Sequence, residues 1–267
     1  MSSRGFGVAA GLDPAVASPL AARCAELGYA SMWSNDHPGA KGLETLAVFA
    51  EAAPEIELGV AVIALDRQSP AEIAAKVEQL GLDRDRLWIG VGSGFSERPL
   101  TRMREALPEL REALPELREA LPGIRLVLAA MGPKMSALGG ASYDGVFTNW
   151  MTPDAAVTAR ERVHAGAAEA GREPPPVLGY VRTAVSSDAA DRLSKEESFY
   201  RDMHDGYRNH FARLGEPLGT IGVAAANRDE AQEELRRFEA LDVLVVRGLA
   251  SATVEAMTAL AEAAAPP

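Results

Sequence analysis

Cysteine is almost missing from this sequence: Cys24 stands alone among 267 residues. A single thiol excludes an internal disulfide framework and a multi-thiolate metal site, and it fits a reducing compartment. Cations are outnumbered, 27 Lys and Arg against 38 Asp and Glu, for a net charge of −11. Such a surface repels phosphate backbones and anionic lipids, so neither nucleic acid nor membrane is an expected partner. Long apolar runs are lacking too. Leu126 to Met131 is as long as any, far below the ~20 residues of a membrane helix. Met1 to Gly7 carries no apolar signal-peptide core. A cytoplasmic protein is expected.

What is present suits a folded α/β chain. Hydrophobic residues make up 47% and charged residues 24%, the balance of a globular protein with a core. The length matches one α/β barrel of about 250 residues. Eight short runs read as strands: Phe6–Gly11, Ala30–Asn35, Ile56–Ile63, Arg86–Gly92, Ile124–Met131, Gly145–Trp150, Val177–Ala184 and Asp242–Arg247. Several are apolar nearly throughout, as strands buried on both faces of a parallel sheet are. Ile221–Ala225 reads equally as a ninth strand or a loop.

Helix signals fill the gaps. Ser18-Pro19, Ser69-Pro70 and Thr152-Pro153 each set a capping hydroxyl before a proline. Gly28, Gly81 and Gly171 stand where left-handed C-terminal caps are expected. Leu20, Cys24 and Leu27 share one helix face, which makes Cys24 a small core residue. Strand and helix repeated eight times favour a single (β/α)₈ TIM barrel over residues 1–267. No glycine-rich dinucleotide fingerprint follows the first strand, which has Gly11-Leu12-Asp13-Pro14 instead. Within a helical segment at 99–122, Arg-Glu-Ala-Leu-Pro-Glu-Leu occurs at 104–110 and 111–117 and begins again at 118–122. Pro108 and Pro115 would each cost about 3 kcal/mol inside a continuous helix, so a kinked or broken exterior segment is expected.

Barrels of this kind place chemistry at the C-terminal ends of strands. The second strand ends in Trp33-Ser34-Asn35-Asp36-His37. His37 is the best general acid–base there, because imidazole titrates near neutrality. Asp36 would tune it or contact the ligand. The competing reading is a loop histidine held by a turn. The fourth strand ends in Gly92-Ser93-Gly94-Phe95, a loop that lets backbone N–H groups approach a ligand closely or simply serves a tight turn. The fifth ends in Met131-Gly132-Pro133-Lys134, read either as a plain turn or as the start of a helix whose free N–H groups and lysine suit a phosphate. His164, His204 and His210 fall in helical stretches and read as surface or packing residues. Phe199, Tyr200, Met203, Tyr207, Phe211 and Leu214 have helical spacing and read as core, interface or ligand lid. No cluster has metal-ligand spacing, so no metal is expected.

Taken in order, several segments resemble the bacterial luciferase-like superfamily, in particular its coenzyme F-420-dependent oxidoreductases. They are Leu27–Trp33, Asn35-Asp36-His37, Leu58–Ile63, Ser69–Glu72, Arg86–Gly94, Ala129–Met135 and Tyr143–Val146. The resemblance spans about residues 5 to 184; 186–226, where substrate loops diverge, matches poorly. It implies a (β/α)₈ barrel, a homodimer, and a deazaflavin or flavin ring at the C-terminal mouth acting on a small organic substrate. It implies roles for Asp36 and His37 as the acidic–histidine pair. It implies a bulged third strand at Ala61 and Val62 that often carries a non-proline cis bond behind the ring. The phosphate loop falls on Met131, Gly132, Pro133 and Lys134, with Gly92, Ser93 and Gly94 also at the cofactor. Trp33, Phe95, Asn149 and Trp150 would line the substrate pocket. Some members carry a glutamate directly after the fourth-strand glycines, where this chain has Phe95, with Glu97 two places on. The functional expectation is an F-420-dependent hydride-transfer enzyme. Two alternatives stand beside it: an FMN-dependent monooxygenase or reductase, and a barrel that binds a cofactor or metabolite without turnover.

Overall fold

The computed structural model describes residues 3–113 and 123–267. Its strands are β1 (Ser3–Val8), β2 (Ser31–Ser34), β3 (Glu57–Ala64), β4 (Leu87–Gly92), β5 (Arg125–Ala129), β6 (Gly145–Asn149), β7 (Val177–Val185), β8 (Val223–Ala225) and β9 (Val243–Gly248). Strands β1 to β7 pair in sequence order, β9 follows β7, and β9 pairs back onto β1. All pairings are parallel, so eight strands close a ring and the barrel is a (β/α)₈ barrel. β8 stays outside the ring and pairs only with Thr183–Val185 at the end of β7. The ambiguous run at 221–225 is thus a short extra strand.

The helices are α1 (Pro14–Glu26), α2 (Gly42–Ala52), α3 (Pro70–Gln79), α4 (Pro99–Ala113), α5 (Pro133–Ser142), α6 (Pro153–Glu169), α7 (Ala189–Met203), α8 (Asp205–Leu214), α9 (Arg228–Arg236) and α10 (Val254–Ala263). Capping chemistry fixes several starts. The Ser69 hydroxyl accepts from Glu72 N–H while the Glu72 carboxylate accepts from Ser69 N–H at 2.7 Å, a reciprocal box. Thr152 caps α6 through Ala155 N–H. Ser18-Pro19, in contrast, starts nothing. Asp13 accepts from Ala15 N–H and Pro14 opens α1, so Pro19 lies inside the helix. The same cap-and-proline pair simply occurs earlier in the chain. Cys24 is fully buried on the inner face of α1 with Leu20, as expected. α4 runs on through Pro108, with Met103, Ala106 and Leu110 buried. The rest of the repeat, with Pro115, lies outside the described residues.

Two shells of core hold the barrel. Between strands and helices, residues such as Phe6, Leu46, Phe49, Leu58 and Ile89 form the larger one. Inside the ring, Trp33, Trp88, Val127, Phe147, Leu178, Tyr180 and Val245 form the other. Small residues make room for the large ones. A Cβ on Gly59 would lie 2.2 Å from the Trp33 ring, and one on Gly7 would lie 2.7 Å from Tyr180. At the N-terminal end, Glu57 accepts from Trp88 Nε1 at 3.0 Å and from Arg125 at 2.7 Å. The Arg125 guanidinium lies 3.9 Å over the Trp88 ring. There the ion pair covers the Trp88 ring.

Candidate active site at the C-terminal mouth

Side chains alternate across a strand, so the residues after this inner core form one last inward layer at the C-terminal mouth. Val62, Gly92, Ala129, Asn149, Arg182 and Arg247 make it. Two halves differ. On the β3–β5 side the layer is low: a Cβ on Gly92 would come within 3.2 Å of Val62 and 3.4 Å of Ala129. Val62 and Ala129 remain only half-buried although they face inward, so solvent enters here. The register of β3 against β4 shifts between Val60 and Ile63, and the Ala61–Val62 bond is cis, both as the resemblance implies. Gly94 takes φ +58°, and a Cβ there would strike the Asp66 carboxylate, which accepts from Phe95 N–H at 2.9 Å. Glycine is required at that turn.

The β6–β9 side is tall and cationic. Arg182 and Arg247 are register partners on adjacent strands. Arg182 donates to Asn149 Oδ1 and lies 4.4 Å over the Trp150 ring. Trp150 has φ +54°, a left-handed conformation rare for a bulky residue. Its carbonyl accepts from buried His210 Nε2 at 2.7 Å. Burial holds the His210 imidazole below its ordinary pKa, and the nearby Arg213 acts in the same direction. The Tyr207 hydroxyl accepts from Asn149 Nδ2 at 3.3 Å, and burial pushes its phenol up to about 12.

The second-strand pair is less free than the sequence implies. The Asp36 carboxylate is buried and accepts from Gly42 N–H at 3.1 Å and from Arg67 at 3.4 Å. It thereby serves the first turn of α2, where Lys41 offers no side-chain cap. His37 Nδ1 accepts from Gly39 N–H at 3.2 Å, which leaves the proton on Nε2, 3.4 Å from the Ala10 carbonyl. The turn-held loop histidine describes this geometry, with the long Nε2 contact as its free end. Gly132 caps α5 without a side-chain hydrogen bond, Pro133 stands in the first turn, and Lys134 is exposed. The Met131 carbonyl accepts from Arg213 at 3.2 Å and meets His210 Nδ1 at 3.1 Å.

Two residues expected at the pocket are buried. Trp33 is fully buried and bonded to Ser31 Oγ at 2.7 Å, so it is floor beneath the mouth and lines no open wall. Trp150 is likewise buried, packed with Leu193, Phe211 and Ile221 under the 186–226 segment. Phe95 does reach the rim: it is 65% exposed and meets His204 edge-on at 5.2 Å. His204 is not inside a helix. It ends α7 and caps α8 through Gly206 N–H at 2.9 Å, so the aromatic series bends there and spans two helices. His164 is exposed on α6, as expected. Sequence reasoning missed Tyr180, Arg182 and Arg247. For the two arginines the signal was a cation near the end of an otherwise apolar strand, in phase with inward-facing residues.

Among the described residues, no group of His, Cys, Asp and Glu could hold a metal ion, and no helix is long and apolar enough to cross a membrane. No curated protein matches the chain. Among solved structures, an F-420-dependent secondary alcohol dehydrogenase holding an F-420–acetone adduct is similar at 18% identity and TM-score 0.73, covering 98% of this chain and 99% of that one. The F-420-dependent tetrahydromethanopterin reductase of Methanopyrus kandleri gives 16% identity and TM-score 0.74, covering 98% and 96%. The oxygenating constituent of 3,6-diketocamphane monooxygenase from Pseudomonas putida, complexed with FMN, gives 15% and 0.67, covering 100% and 99%. The luciferase-like monooxygenase family model matches residues 7–264, nearly the whole barrel, and this chain belongs to that family.

Proposed function

We propose that the protein is an oxidoreductase that transfers a hydride between coenzyme F-420 and an organic substrate. The observation that carries this reading is the asymmetry of the mouth. Val62 and Ala129, half-buried on either side of buried Gly92, form a low wall, and the first turn of α5, without a side-chain cap, opens beside it. A planar ring with a phosphate-bearing tail needs both features. A Cβ at Gly92 would fill part of the space the ring requires.

In this reading Ala61, Val62, Gly92, Ser93 and Gly94 face the ring system. Met131, Gly132, Pro133 and Lys134 receive the phosphate, through the N–H groups of the first turn and the lysine ammonium. The bound cofactor supplies two-electron chemistry at its ring. The chain binds it, orients it and keeps water from it. His37 Nε2, weakly held at 3.4 Å by the Ala10 carbonyl, donates or takes up a proton at the mouth. Asp36 is a positioning residue, since its carboxylate fixes the α2 start and the strand end that carries His37. F-420 stands ahead of FMN because the two F-420-named structures superpose at 0.73 and 0.74, against 0.67 for the FMN complex.

The test adds F-420 and FMN separately to the purified protein and follows tryptophan quenching and the cofactor spectrum. Saturable binding of F-420 with hydride transfer to some member of a substrate panel is expected. Binding of FMN alone would reverse the order. Binding without turnover across the panel would favour the non-catalytic barrel, and binding of neither would sink the reading.

A further inference from the structure

The charge at the mouth is unbalanced in a way the proposed cofactor site does not use. Arg182 is 2% exposed and Arg247 8% exposed, and they sit side by side on β7 and β9. Arg182 Nε has no hydrogen-bond partner, and neither has the hydroxyl of Tyr180, 5% exposed, one inward position below. The Arg247 guanidinium makes no hydrogen bond or ion pair among the described residues. Burial and the adjacent Arg182 both act against its charge, while the phenols of Tyr180 and Tyr200 and the carboxylate of Glu196 act weakly for it. Leaving two cations buried, adjacent and without a carboxylate costs free energy unless something negative joins them. The surroundings are aromatic and apolar: Arg182 lies 4.4 Å over Trp150 and 5.0 Å over Tyr200. The half-buried Val62 and Ala129 face it across the mouth.

We infer that Arg182, Arg247 and the Tyr180 hydroxyl form an oxyanion subsite that holds the terminal carboxylate or phosphate of a substrate with an apolar body. Planar guanidinium forks match such groups, donating two N–H bonds to two oxygens. The subsite lies across the mouth from the wall assigned to the cofactor ring, so an anion anchored there would hold the substrate's body over that wall. This role as substrate anchor rests on the oxidoreductase reading; the binding of an anion does not.

Benzoate, phenyl phosphate and neutral benzyl alcohol serve as probes, titrated by calorimetry and by the fluorescence of Trp150 beside Arg182. The wild type should bind at least one of the two anions at least tenfold more tightly than benzyl alcohol, and which of them is tighter tells carboxylate from phosphate. Arg247→Met should weaken that binding at least tenfold, Arg247→Lys less so, and Arg125→Met at the far end not at all. Arg182 also holds Asn149, so Arg247→Met is the decisive variant. Its thermal midpoint in buffer should equal or exceed that of the wild type, and benzoate or phenyl phosphate should raise the midpoint of the wild type only. A lowered midpoint with unchanged anion binding would make Arg247 structural and overturn the inference. Equal binding of benzyl alcohol and both anions would overturn it as well. Displacement of the bound anion by F-420 or FMN would give the arginines to the cofactor and overturn the substrate role. If neither cofactor binds but the variants lose the anion, the oxidoreductase reading fails and the oxyanion subsite stands.

Discussion

The two ends of this barrel treat arginine in opposite ways. At the N-terminal end Arg125 lies over Trp88 and bonds to Glu57, and that carboxylate also takes the Trp88 indole N–H. Both charges of that pair have a partner. At the C-terminal end Arg182 and Arg247 are more deeply buried, yet no carboxylate pairs with either among the described residues. Both ends are built on the same alternation of inward side chains, so the difference lies in the residues themselves. A closed end can satisfy its own charges. An end that receives a ligand leaves some of them for the ligand, and accepts lower stability until it arrives.

Trp33 separates the two ends, and removing it should have the largest effect. It is fully buried among Trp88, Phe147 and the glycine-lined strands. Trp33→Ala should cost about 3–5 kcal/mol of stability, the range for a large aromatic removed from a core, read by urea denaturation. A loss below about 1 kcal/mol would mean that the interior is already open beneath the mouth and that the two ends communicate. At the mouth itself, His37→Ala should lower turnover about 10²-fold, the small end of general acid–base effects. Its ring is tied to backbone at both nitrogens, and only the 3.4 Å contact leaves it free to act. Full turnover in the variant, with every substrate the wild type accepts, would leave His37 as a turn residue.

Much of the sealed scaffold was legible in the sequence, and less of the open end. Continuous apolar runs such as Leu126-Val127-Leu128 mark strands because both faces of a barrel strand are buried, and periodicity reports burial directly. Helix starts at Ser69 and Thr152 were legible because their capping partners lie three residues away. Asp36 was not: its partner Gly42 is six residues on and Arg67 is 31 residues on, joined only by the fold. Trp33 and Trp150 were expected at the pocket only from the family resemblance. Whether a ring forms floor or wall depends on which strands crowd it. His204 sits between two helices that share one aromatic face, and nothing local announces the bend.

Gly132 probes the open half of the mouth more gently. It has extended backbone at φ −142°, and the atom nearest to an added Cβ is the Arg213 guanidinium, 3.8 Å away. A leucine therefore fits the fold but stands over the first turn of α5. Gly132→Leu should weaken cofactor binding about tenfold, or 1.4 kcal/mol, while the thermal transition moves little. A large loss of stability with unchanged affinity would make this a structural turn and remove the phosphate site from the open half.

The smallest effect is expected at the sealed end, where it sharpens the contrast. Glu57 is 41% exposed and Arg125 29% exposed on their side chains, so water screens the pair and its worth is about 1 kcal/mol or less. Glu57→Gln keeps an acceptor for the Trp88 indole and removes only the charge. Arg125 would keep its place over Trp88 at 3.9 Å and its bond to the Asp85 carbonyl at 3.4 Å. No buried ion is left alone, so stability should fall by less than about 1 kcal/mol, and the difference should shrink as salt is raised. Ligand binding at the mouth should not change. Arg247→Met, which deletes a buried cation without a partner, should go the other way and hold or raise the midpoint. A loss of 3 kcal/mol or more in Glu57→Gln would show that Arg125 depends on its carboxylate as a buried ion does. Paired and unpaired arginines would then differ in ligand state alone, and the barrel would need an anion at both ends.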